Sequence, residues 1–173
     1  MISGTTPHIL LKRIVAYLFT ILIMSTIFCF SAQPANKSSH TSTGITKKIV
    51  TIFTKNKNLS QAQQNELVKK WNQRLRKIAH FCLYMSLGMS AFISFTLTFI
   101  KKGSHFIQKD ALISFIFCVL YAICDEIHQT FVSGRSGEIR DVFIDSFGST
   151  AGILTVMAII YFYTKKRGCK YTI

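Results

Sequence analysis

Along this chain, blocks without charge alternate with blocks rich in lysine and arginine, and the apolar blocks have the length of membrane spans. A helix crosses roughly 30 Å of hydrocarbon with about 17 to 25 residues. The first such block is 14–31, and the second lies between Lys77 and Lys101, where His80 is the one ionisable side chain of the Lys, Arg, Asp, Glu or His type. Only 14 residues, 111–124, separate Asp110 from Asp125, about 21 Å of helix. That is too short to span. Continuing to 132 gives 22 residues and roughly 33 Å, which places Asp125, Glu126 and His128 in the last third of the third helix. The fourth block, 142–164, carries Asp145 near its start. The pattern predicts an all-α fold: a polytopic membrane helical bundle with four transmembrane helices. Its divisions are 1–31, an N-terminal tail and first span; 32–77, a basic and partly amphipathic loop; 78–164, the three remaining helices; and 165–173, a basic tail.

Within the long loop, 33–44 is polar, with Pro34 and several Ser and Thr, and reads as lacking regular structure. Ile45, Ile49, Ile52 and Phe53 then recur at i, i+4, i+7 and i+8, one apolar stripe of a helix. Ser60 with Gln63 reads as a capping box, and Leu67, Trp71 and Leu75 follow every four residues. Basic residues flank that stripe. Two placements are open: a helix in the lipid headgroup region, or one docked on the protein's own spans. The first span reads as a retained anchor rather than a signal peptide, because Phe30 fits the small-residue cleavage pattern poorly.

Composition supports a membrane as the solvent, with 49% hydrophobic and 16% charged residues in 173. The net charge of +14 lies between and beyond the spans rather than on a soluble module. Anionic membrane lipid is therefore the expected partner, not nucleic acid. Counting does not orient the chain. With an inside amino terminus the inside segments hold nine Lys and Arg, the outside ones twelve. Four of the five cysteines fall in spans and no C-x-x-C occurs, so buried structural thiols are expected, with no disulfide framework or cysteine zinc site, and no cofactor is assigned.

Five of the seven acidic residues gather in 121–152, YAICDEIHQTFVSGRSGEIRDVFIDSFGSTAG. Asp125, His128 and Gln129 share one face of the third helix at i, i+3 and i+4, with Glu126 about 100° away. Asp141, Asp145, Gly148 and Gly152 share a face of the fourth, and Gly148-x-x-x-Gly152 admits a close helix neighbour. The third helix is the expected neighbour, across a short connection. Arg135 and Arg140, on that connection beside Gly134 and Gly137, suit either the third helix's acids or an anionic ligand. Arg76, His80, Tyr84 and Gly88 recur every four residues on the second helix, where His80 is expected to meet His128 and the acids. Three readings remain: a structural network of paired charges, a polar site for a ligand headgroup, and a metal site, for which no H-E-x-x-H or comparable spacing exists. His128 suits acid/base work, and no nucleophile stands out.

The stretch DEIHQTFVSGRSGEIRDVFIDSFGSTAG resembles the signature of VanZ-like membrane proteins, the family named for a teicoplanin-resistance accessory protein. RKIAHFCLYMSLG resembles its second-span motif, and FSAQPANKSS the segment that often follows its first span. Together these cover 30–39 and 76–152 in family order. The resemblance implies a bacterial, multi-pass cell-membrane protein with its acidic motif near the outer surface and both termini cytoplasmic. It carries over Arg76, Lys77, His80, Tyr84, Gly88, Asp125, Glu126, His128, Gln129, Arg135, Asp141, Asp145, Gly148 and Gly152 as motif positions. It names no settled reaction. The functional expectation is an outer-facing polar cluster that binds or modifies a lipid-linked or phosphate-bearing envelope substrate and contributes to glycopeptide resistance. The alternative is a noncatalytic accessory whose cluster only holds the bundle together.

Overall fold

A computed structural model describes residues 7–54, 60–99 and 107–166; the side chains of 35–42, 45 and 53 lie outside the description. Among the described residues five helices form: α1 (Pro7–Ser31), α2 (Ala35–Thr54), α3 (Gln61–Phe99), α4 (Ile107–Thr130) and α5 (Ile139–Lys166). All except α2 are long and apolar enough to cross a membrane. Their outward faces fit that solvent, with Leu18, Leu22, Leu120, Phe143, Phe147 and Phe162 exposed.

The four spans run up, down, up and down. Arg13 Nε donates to the Leu97 carbonyl at 2.7 Å and Thr20 meets Ser94 at 3.1 Å, so rising numbers on α1 face falling numbers on α3. Between α3 and α5 the order is parallel. Lys77 pairs with Asp141, His80 approaches Asp145, Gly148 abuts Phe81 and Gly152 abuts Met85. Likewise α1 runs with α4, since Tyr121 donates to the Met24 carbonyl and Ser31 to Asp125. This alternation brings the end of α1, the apolar start of α3, the end of α4 and the start of α5 to one membrane face. The buried core between them includes Ile23, Ile27, Tyr84, Leu87, Ala91, Cys118 and Ala122.

Three sequence expectations need correction. The stretch 33–44 is helical from Ala35 onward, as the first half of α2. Pro34 stands just before the helix, where its fixed φ suits a helix start, and packing on α3 supplies what the Ser/Thr-rich sequence lacks. That packing uses Thr46, whose hydroxyl donates to Asn72 at 3.3 Å, and the buried Val50. Ile52, on the apolar stripe read from the sequence, is exposed, while Ile45 and Phe53 have side chains outside the description.

The helix begun at Ser60 does not end before the second span either. Ser60 and Gln63 exchange capping bonds, Ser60 N to Gln63 Oε1 at 3.0 Å and Gln63 N to Ser60 Oγ at 3.4 Å. From there α3 runs 39 residues, about 58 Å. No proline interrupts it, and Arg74, Arg76 and Lys77 are good helix formers. Roughly half of α3 therefore extends beyond a bilayer of about 30 Å, with Trp71 on its surface beneath the Arg74 guanidinium. The third correction concerns the glycines of α5. Gly148 and Gly152 pack against α3, not against the preceding helix, and Gly88 of α3 packs reciprocally against Ser149.

Candidate functional site

Where the four helix ends meet, a cavity of about 460 Å³ opens among α3, α4, α5 and the α4–α5 connection. The connection turns at Gly134, whose φ of 76° is one that side-chain-bearing residues rarely adopt. Arg135 N bonds back to the Val132 carbonyl at 3.1 Å, closing the turn. Its guanidinium then returns to the helices, donating to Gln129 Oε1 at 3.2 Å and to the Phe30 carbonyl at 2.9 Å. Burial and the neighbouring Arg76 charge lower the Arg135 pKa from its ordinary value, while Asp125 and Glu126 act in the opposite sense. Two guanidiniums thus share one region.

The acids divide into held and unheld groups. Asp125, 4% exposed, accepts from Ser31 Oγ at 2.8 Å and Gln129 Nε2 at 3.2 Å, both on Oδ2. Its Oδ1 has no hydrogen-bond partner among the described residues. Glu126 is buried too, and its Oε2 accepts from the Glu138 backbone N–H at 2.9 Å, fixing the entry to α5. Gly137 is needed beside it, because a Cβ there would lie 2.9 Å from the Glu126 carbonyl. Lys77 bridges Asp141 at 2.5 Å and Glu138 at 3.4 Å. Asp145 is different. At 1% exposure, neither of its oxygens has a hydrogen-bond partner among the described residues, and His80 Nδ1 stands 3.9 Å away, beyond hydrogen-bond reach. The hydroxyl of Tyr84, buried beside His80, is likewise unpaired among the described residues.

A family model described as VanZ/LLP1 matches residues 16–161. The chain belongs to the VanZ/LLP1 family. With its four span-length helices, this makes it a multi-pass membrane protein. Comparisons with curated proteins and with solved structures gave no match.

In this VanZ/LLP1 chain the cavity is lined by Arg76, His80, Glu126, Gln129, Arg135, Arg140, Asp141 and Asp145, among others. The fold therefore brings together most of the residues singled out in the sequence. His128 is an exception. Its ring stacks on Phe28 of α1 at 4.6 Å instead of meeting His80, one turn beyond Asp125, which also reaches α1 through Ser31. Nor does Arg135 or Arg140 pair with the acids of α4 within 4 Å; Arg135 binds an amide and a carbonyl.

Sequence reasoning missed Ser31 and the Phe30 carbonyl, both supplied by α1. The signal for Ser31 was there. It extends the buried face Ile23, Ile27 by one more helical turn.

Proposed function

We propose that the cavity binds the phosphate-bearing headgroup of an envelope lipid, entering from the outer face of the membrane. One observation carries this reading. Arg76, Arg135 and Arg140 line the cavity, and none has a carboxylate within 4 Å among the described residues, whereas Lys77 is occupied by two. The acids Glu126, Glu138, Asp141 and Asp145 share the lining, yet guanidiniums not engaged by a carboxylate in an ion pair suit a multivalent anion, which they can bond bidentately. The cavity volume suits a headgroup rather than a whole lipid.

The test is a titration of the purified protein with a long-chain polyprenyl phosphate, the matching polyprenol and inorganic phosphate. The phosphate lipid is expected to bind, the alcohol weakly, and Arg135→Ala or Arg76→Ala to lose about 10- to 100-fold in affinity, the worth of a charge-assisted bond. Equal binding of lipid and alcohol, or unchanged affinity in both variants, would refute the reading. Tight binding of inorganic phosphate alone would identify a free anion as the ligand. Teicoplanin susceptibility of an expressing host, measured beside membrane abundance of the same variants, tests the resistance role. Loss of susceptibility change only where protein is also lost would remove the site from that role.

The outer-face placement rests on the family resemblance and makes its own prediction. A reporter active only in the cytoplasm, fused after Thr164, is expected to be active, and Ser136→Cys to react with a membrane-impermeant maleimide on intact cells. An external reporter would invert the chain and move the cavity to the cytoplasmic side.

A further inference from the structure

At the wall of the cavity, which His80 and Asp145 line and Asp125 adjoins, three potential metal ligands of two types come together from three helices. His80 of α3, Asp125 of α4 and Asp145 of α5 each offer one ligand atom, and these atoms all lie within 4.8 Å of one another. Three ligands bonded at about 2.0 to 2.2 Å to one tetrahedral cation stand about 3.3 to 3.6 Å apart, so side-chain rotations that draw these atoms together by up to about 1.5 Å close the set. The geometry points to a binding site for one divalent transition-metal cation at His80, Asp125 and Asp145, which goes beyond the headgroup reading and does not depend on it.

The state of the donor atoms is what makes this more than an acidic cluster. Asp145 is 1% exposed with both oxygens unpartnered among the described residues, and Asp125 is 4% exposed with Oδ1 unpartnered. Two carboxylates this close and this far from water repel one another and lack the solvation that would compensate. A divalent cation neutralises both. The surroundings of Asp125 are also those of an oriented ligand: Ser31 and Gln129 hold Oδ2, and Gln129 is itself held by Arg135. Such outer partners fix the remaining oxygen toward a metal. An imidazole in the set favours Mn²⁺ or Zn²⁺ over Ca²⁺ or Mg²⁺. Three protein ligands leave coordination positions open toward the cavity, the arrangement of a working rather than a purely structural ion.

The test uses full-length protein purified in detergent through a peptide tag that binds no metal, stripped with chelator and then given Mn²⁺, Zn²⁺ or Mg²⁺. Elemental analysis after gel filtration is expected to find about one Mn²⁺ or Zn²⁺ per chain, with a raised melting temperature. His80→Gln and Asp145→Asn should each weaken that binding at least tenfold, while Arg76→Ala, which is expected to lose headgroup affinity and removes no hydrogen-bond partner of the three ligands, should retain it, so that loss of headgroup binding and loss of metal are read separately. Wild-type protein that is monodisperse yet binds well below one ion per chain would overturn the assignment. So would wild-type binding by the two ligand variants, or stabilisation by Mg²⁺ as large as by Mn²⁺ and Zn²⁺.

Discussion

Gly152→Leu is expected to yield little or no folded protein from membranes, the largest structural effect of any single change in the bundle. Even a Cβ at Gly152 would fall closer to the Met85 carbonyl than real Cβ contacts do, and within 3.0 Å of the Met89 nitrogen. Both obstacles are backbone, so no rotamer change relieves them. At Gly148 a Cβ would lie 2.6 Å from the Phe81 carbonyl. In lipid the hydrophobic effect gives helices little reason to associate, and close backbone packing through small residues takes its place. Overpacking usually costs about 1 to 3 kcal/mol, the range expected for Gly152→Ala; a leucine must separate α3 from α5 altogether. Since His80 and Asp145 face each other across that same seam, separation would also dismantle the site. Gly44→Ala is the control. Nothing lies within 4 Å of a Cβ there, and Gly44 is inside α2, so alanine should gain roughly 0.5 to 1 kcal/mol of helix stability. Yield by gel filtration and the midpoint of a denaturation titration would show the contrast. A Gly152→Leu variant with native yield and midpoint would mean that α3 and α5 are not packed this closely.

The same seam shows where sequence reading reached its limit. The i, i+4, i+7, i+11 spacing of Asp141, Asp145, Gly148 and Gly152 was enough to say that carboxylates and packing groove look at one neighbour. It could not say which, because a helix face has a direction only once the bundle is assembled. The short α4–α5 connection favoured α4. In the fold, α5 also lies parallel to α3, and the smallest residues of both meet there. The spans themselves were legible because bilayer thickness and 1.5 Å per residue leave few choices. The loop was less so: α2 depends on Thr46 and Val50 finding α3, a tertiary gain that local propensity does not register. The proposed metal-ligand set was legible only as far as His80 meeting the acids, for a different reason. His80, Asp125 and Asp145 come from three helices, so no local spacing links them, whereas H-E-x-x-H places two ligands on one. What the sequence did carry was each ligand's own helix position near the common membrane face.

Whether the polar cluster is a brace or a binding site can be decided by sign. Asp145→Asn is expected to raise the stability of chelator-treated, ligand-free protein by about 1 to 3 kcal/mol, because a neutral amide, though also without a partner there, costs less to bury than an unpaired charge. For a chain of this size that is several degrees of melting temperature. Ser31→Ala should move stability the other way by a similar amount. Its hydroxyl is fully buried and donates to Asp125 at 2.8 Å, so its removal strips a buried carboxylate of a donor. Breaking a buried pair normally destabilises strongly; a brace would therefore make both substitutions harmful. The Lys77 bridges to Asp141 and Glu138 are brace-like, but their side chains are 30% to 51% exposed, and such pairs contribute about 0 to 1 kcal/mol. Proteins keep unpaired buried carboxylates where function compensates for the lost stability. The gain in Asp145→Asn should accordingly vanish relative to wild type when Mn²⁺ or Zn²⁺ is added, because only the wild type then recovers its ligand. If Asp145→Asn instead melts lower than wild type without metal, by as much as Ser31→Ala, then Asp145 is held by partners and the cluster is a brace.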